Sequence, residues 1–145
     1  MADIRRAGPD DEEPPLLLVR EFYARDRHEY SEERVLRGLR PLLAGDDEGR
    51  VFLAALDGVP YGYVVVTWSW SLEAGGRDAL LDEMYVRRRE QGIGSELLTA
   101  AIAAASDAGA ASMFLETESP NIRVRGFYRR HGFVRQDSIW MSRPL

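Results

Sequence analysis

At 145 residues the chain has the length of one ordinary domain, enough to bury a core without covalent staples. A formal net charge of −5 argues against general nucleic-acid binding, which needs a basic surface, and mildly favours cationic substrates. With no cysteine, disulfides, thiolate nucleophiles and thiolate metal sites are excluded, and no apolar run approaches the roughly 20 residues that span a bilayer.

One cytoplasmic domain over residues 1–145 is therefore expected, with no membrane partner; the polar stretch from Met1 to Pro15 lacks a signal-peptide pattern. Ile4 to Ala7 reads as a short first strand, followed by the turn-prone Gly8-Pro9-Asp10. Leu18, Val19, Phe22 and Tyr23 then recur at helical spacing. Ser31 has the chemistry of an N-cap, with Glu32 and Glu33 putting acid into the first turn of a second helix. That helix carries Val35, Leu36, Leu39, Leu42 and Leu43 on one face and ends at Gly45. The period then changes. Val51 to Leu56 and Val59 to Ser71 read as strands joined by Asp57-Gly58, a strong hairpin turn. Gly75-Gly76 turns the chain into a further strand, Ala79 to Val86, giving an antiparallel meander. Helical spacing returns from Gly94 through Leu97, Leu98, Ala101, Ile102 and Ala105, and Gly109 closes that helix. A strand over Ala111 to Thr117, a short helix marked by Val124, Phe127 and Tyr128, and an extended segment from Phe133 to Ser142 complete a β-α-α-β-β-β-α-β-α-β order. The fold class is α/β, with a central mixed sheet.

The stretch that carries chemistry runs from Tyr85 to Leu98. A strand feeds a glycine-containing loop that opens directly into a helix, and the free N–H groups and dipole at a helix start attract anions. Glycine at Gly92 and Gly94 admits a phosphate close to the backbone, and Arg87, Arg88 and Arg89 offer positive charge nearby. A P-loop lysine is absent, Leu97 stands where a dinucleotide fingerprint needs a third glycine, and neither GxSxG nor HExxH occurs. Taken alone, the two glycines fit a surface turn equally well.

Arg89-Glu90-Gln91-Gly92-Ile93-Gly94 resembles the signature of the GNAT N-acetyltransferases: Gln or Arg, two free positions, Gly, one free position, then Gly or Ala. Asn121 to Phe133, with Phe127-Tyr128 and Gly132-Phe133, resembles a second block of the same family, in the same order along the chain. Val86 lies only three residues before Arg89, a shorter interval than the family usually has. The resemblance implies a single-domain acyl-CoA N-acyltransferase fold with a mostly antiparallel mixed sheet flanked by helices. It also implies acetyl-CoA as co-substrate, no metal, and a small-molecule or peptide amine as acceptor. A homodimer is implied as possible, because family members often pair through their C-terminal strands.

By the same resemblance, Met84, Tyr85 and Val86 form a strand end that splays from the strand beginning near Ser112 and pairs with the pantetheine arm through backbone groups. Arg89, Gln91, Gly92, Ile93, Gly94 and Ser95 surround the pyrophosphate. Asn121 caps its helix and in the family often also touches the cofactor or a water. Tyr128 falls at the family's general acid, although a core tyrosine has the same spacing. A base is needed too, because an ammonium near pKa 10.4 must lose a proton before it attacks a thioester. Glu83 is preferred over its neighbour Asp82, since adjacent strand residues point to opposite faces; Glu116 is a rival. His28 and His131 read as surface residues, and Trp68 and Trp70 as packing rather than an acceptor pocket. Asp26, Glu29, Glu32 and Glu33 form either a cation-attracting patch or a solvated face. The alternative to an enzyme is a non-catalytic acyl-CoA-binding regulatory module.

Overall fold

A computed structural model describes residues 2–89 and 91–145. The chain divides into two compact units, Met1–Leu115 and Glu116–Leu145. In the first, β1 (Ala2–Arg6) precedes two helices, α1 (Glu13–Arg25) and α2 (Glu32–Ala44), and then the meander β2 (Gly49–Leu56), β3 (Val59–Ser71) and β4 (Gly76–Val86). Helix α3 (Ile93–Asp107) and a two-residue strand, β5 (Met113–Phe114), complete it.

The local chemistry explains these boundaries. Ser31 caps α2, its side chain accepting from the Arg34 N–H at 3.3 Å. Asp57 and Gly58 both take positive φ (51° and 78°), the conformation of a type I′ turn whose twist matches the flanking strands. The five strands run in the order β1-β2-β3-β4-β5, antiparallel except for the parallel β4–β5 pair. Val51, Leu53, Tyr63, Val65 and Tyr85 share one core cluster with Leu18, Val19, Leu39, Leu42 and Leu43 of α1 and α2. Helix α3 packs against β2, β3 and β4 and buries Leu97, Leu98 and Ala101 completely.

Two features of this sheet bear on function. The β4–β5 pairing is confined to Ala79↔Met113 and Leu80↔Phe114, whereas β4 continues to Val86. From Leu81 onward β4 has no ladder partner on that side among the described residues. The second feature is a break in register: Leu81 faces Val66 and Glu83 faces Val65, so Asp82 is the extra residue of a β-bulge.

The second unit contains α4 (Ile122–Arg130), capped by Asn121, whose side chain accepts from the Val124 N–H at 3.2 Å. Two sequence expectations fail at this end of the chain. The strand expected over Ala111 to Thr117 is reduced to the two residues of β5, and the expected final strand over Phe133 to Ser142 does not form. A strand exists only where its N–H and C=O groups find a neighbouring ladder. The final segment has none among the described residues, and its apolar side chains Ile139 and Met141 are each 90% exposed.

Candidate active site

The Asp82 bulge decides the geometry of the site. Regular alternation would send Asp82 and Glu83 to opposite faces, but the inserted residue re-aims the strand, and both side chains line one cavity of about 450 Å³. The expectation that only one of them faces that side is therefore corrected. Phe22 and Tyr23 of α1, His28 and Glu29 of the α1–α2 connection, and Arg34 of α2 complete the wall.

Glu83 is held at both oxygens. The Tyr63 hydroxyl donates to Oε1 at 2.7 Å and the Tyr23 hydroxyl to Oε2 at 2.6 Å. Burial raises the Glu83 carboxyl above the usual range; the two phenols pull it back, the Asp82 charge raises it further, and His28 lowers it. Asp82 is raised by partial desolvation, although its residue remains exposed. Burial and the Glu83 charge push both Tyr23 and Tyr63 well above an ordinary phenol. Both therefore remain protonated donors.

Just beyond, the Arg87 side chain is engaged within the protein. Its guanidinium grips Glu21 twice (Nε to Oε2 at 2.9 Å, Nη2 to Oε1 at 2.6 Å), and Nη1 donates to the Pro60 carbonyl at 2.8 Å. Arg87 holds the Glu21 carboxyl below its usual range and tethers the end of β4 to α1. Tyr85 joins this group, its hydroxyl donating to Glu21 at 3.2 Å and its ring stacked on Phe22 at 5.5 Å. The half-buried Met84 and Val86 flank it at the end of β4, paired with β3 on one side only among the described residues. Arg88, Arg89 and Gln91 are exposed, while Glu90 lies outside the described residues.

Gly92 is the N-cap of α3 in the left-handed conformation (φ 77°) and has no side chain to cap the helix. A Cβ at that position would meet no described atom within 4 Å. Ile93 is buried, and Gly94 and Ser95 follow it in the first turn, where backbone N–H groups have no intrahelical acceptor.

In the second unit, Tyr128 lies edge-on to Phe127 (centroids 5.2 Å apart) and to Phe133 (5.7 Å), and burial pushes its phenol up to about 12. Asn121 is the cap described above, and Glu116 is exposed. Of the four acids near the helix junction, only Glu29 reaches the cavity. Glu32 and Glu33 lie beside Arg20 and Arg37 at 3.6 and 3.8 Å, and Asp26 pairs with His28 at 2.7 Å. His28 is exposed, in keeping with its reading as a surface residue, and it also lines the cavity. Trp68 donates its indole N–H to the Asp46 carbonyl, and Trp70 is 76% exposed; neither lines the cavity. Sequence reasoning missed Tyr23 and Tyr63 as partners of Glu83.

The model of the acetyltransferase (GNAT) family matches residues 16–133, and the chain belongs to that family. Among solved structures it resembles an integron cassette protein from the mobile metagenome of Cole Harbour Salt Marsh, with 28% identity and a TM-score of 0.88 over 98% of this chain and 90% of the other. A putative acetyltransferase from Arthrobacter sp. FB24 is 27% identical, with a TM-score of 0.85 over 99% of this chain and 96% of that one. Aminoglycoside N-acetyltransferase AAC(6')-Iy in complex with CoA is 18% identical, with a TM-score of 0.84 over 99% and 95% of the two chains, and shares the fold. No curated protein sequence matches the chain.

Proposed function

We propose that this protein is an acetyl-CoA-dependent N-acetyltransferase that moves an acetyl group directly to an amine in a ternary complex. The observation that carries the reading is the Glu83 carboxylate on the cavity wall, one residue before Met84–Val86, where β4 pairs with β3 but has no ladder partner on its other side among the described residues. In this reading the pyrophosphate sits on the N–H groups of Gly92 to Ser95 at the start of α3, with Arg89 and Gln91 beside it. The pantetheine arm pairs with the open edge of β4, which delivers the thioester to the cavity. The family resemblance of the second block assigns Asn121 to the cofactor and Tyr128 to the leaving thiolate.

The acceptor enters as an ammonium and gives a proton to Glu83, and the neutral amine attacks the thioester carbonyl. The tetrahedral intermediate collapses, the C–S bond breaks, Tyr128 supplies the proton that leaves CoA as a free thiol, and the proton lost by the new amide nitrogen restores the phenol. A carboxyl raised by burial is better matched to an amine than an ordinary glutamate is. Asp82 and Glu29 in the cavity support a small cationic acceptor, the chemistry that the name of the aminoglycoside enzyme also describes. We place the protein in the cytoplasm as one domain.

The test is CoA thiol release from acetyl-CoA across aminoglycosides, polyamines, amino acids and peptides. Glu83→Gln is expected to lower kcat at neutral pH by roughly 100-fold or more, with acetyl-CoA affinity nearly intact. Unaltered turnover in that variant, with a loss in Glu116→Gln instead, assigns the base elsewhere. Tight acetyl-CoA binding without thiol release for any amine returns the protein to the non-catalytic binding module.

A further inference from the structure

The two phenols on Glu83 come from different places for different reasons. Tyr63 faces Tyr85 across the β3–β4 ladder, and Glu83 lies two residues from Tyr85, so Tyr63 and Glu83 are diagonal neighbours on one face. Tyr63 is fully buried, with no exposed surface, and its hydroxyl has Glu83 as partner. Tyr23 reaches the other oxygen from α1 and itself lines the cavity. Separations of 2.7 and 2.6 Å match hydroxyl–carboxylate bonds, which are shorter and stronger than neutral ones. A carboxylate accepts from both phenols at once. A protonated carboxyl must place its own hydrogen on one of those oxygens, which weakens that contact.

We propose that Tyr63 and Tyr23 are positioning residues that bracket the Glu83 carboxylate, fixing its plane and directing its remaining lone pairs toward the cavity. Tyr63 is the buried anchor and Tyr23 the wall-side clamp. The proposal rests on the reading of Glu83 as the base. The other charged or titratable groups around the cavity are Asp82 on β4, His28 and Glu29 on the connection, and Arg34 on α2; Glu21, Arg87 and Tyr85 form a separate bonded group on the flank. None of these donates to Glu83 in place of the phenols.

The sign of the effect separates a bracket from simple packing. Removing a donor to the anion raises the carboxyl pKa, whereas loosening the core lets water in and lowers it. Carbon-13-labelled glutamate in the full chain, with Glu83 assigned through Glu83→Gln, gives its titration midpoint by NMR. Tyr63→Phe and Tyr23→Phe are each expected to raise that midpoint by about one to two pH units. Tyr23 is half-buried, so Tyr23→Phe carries the test even where the fully buried position is intolerant. An unmoved or lowered midpoint in a folded variant overturns the bracket. Because the titration needs no acceptor, it fails independently of the catalytic reading, which is judged by thiol release in Glu83→Gln.

Discussion

Tyr128 and Glu83 differ in what their surroundings do to them. Glu83 has two named donors and a cavity; Tyr128 has two aromatic neighbours and a phenol raised by burial to about 12. A phenol in that state keeps its proton at every working pH, so its ionisation adds no high-pH limb to the ordinary assay range. Tyr128→Phe keeps the ring and the edge-on contacts, and packing alone predicts an unchanged melting temperature with unchanged turnover. The general-acid reading predicts a fall in kcat of roughly 10- to 1000-fold with acetyl-CoA affinity preserved. Steady-state kinetics with calorimetry decides between them, and wild-type turnover in the Phe variant reduces Tyr128 to packing. The candidate Glu83 was legible because a carboxylate near a strand end is a recognisable residue type at a recognisable place. Its phenols were not: Tyr63 reads as another inward residue of an apolar strand, and Tyr23 as the apolar face of a helix. Only the fold brings positions 23, 63 and 83 together.

At the scale of elements, the meander and helices α2 and α3 were readable because each carries its own punctuation (Ser31, Asp57-Gly58, Gly75-Gly76, Gly92 and Gly109), whereas α1 was readable from the helical spacing of Leu18, Val19, Phe22 and Tyr23. What the sequence concealed was pairing. The β-bulge at Asp82 leaves no local signal, yet it turns two adjacent carboxylates into one cavity wall. The apolar residues from Phe133 to Ser142 read as strand-like, but without a ladder they form none. The proposed phosphate loop gives a prediction at this scale. Gly92 sits at φ 77°, where valine is strained whatever the ligand needs, so a bulky β-branched replacement confuses folding with binding. Asparagine tolerates that conformation better, and the Cβ meets nothing within 4 Å in the free protein. Gly92→Asn is therefore expected to keep its fold and lose acetyl-CoA affinity by roughly 10-fold, about 1.4 kcal/mol. Circular dichroism and calorimetry read the two effects separately, and full affinity in the folded variant removes Gly92 from the donor site.

For the whole molecule, the negative charge and the open helix start make opposite demands on an anionic cofactor. A chain at −5 repels a polyanion at long range, so the proposed donor site relies on short-range donors: the N–H groups of α3's first turn and the exposed Arg88 and Arg89. Any ligand that binds the folded state alone stabilises it by mass action, about 2.7 kcal/mol at 100 times its dissociation constant. For a chain of this length that amounts to a rise in melting temperature of roughly 8–10 °C. Acetyl-CoA is expected to produce such a rise, and free CoA much of it, because the two share the pyrophosphate and pantetheine. NAD and ATP carry similar phosphates but no arm to pair with the open edge of β4, so each is expected to shift the transition by less than a third as much. Raising salt should weaken the phosphate contribution of all four ligands while leaving the backbone pairing of the arm largely intact, so the preference for acetyl-CoA over ATP should widen. Equal shifts for ATP and acetyl-CoA at low and high salt would mean that the loop is a general phosphate site, and that the unpaired β4 edge contributes nothing to the choice of donor.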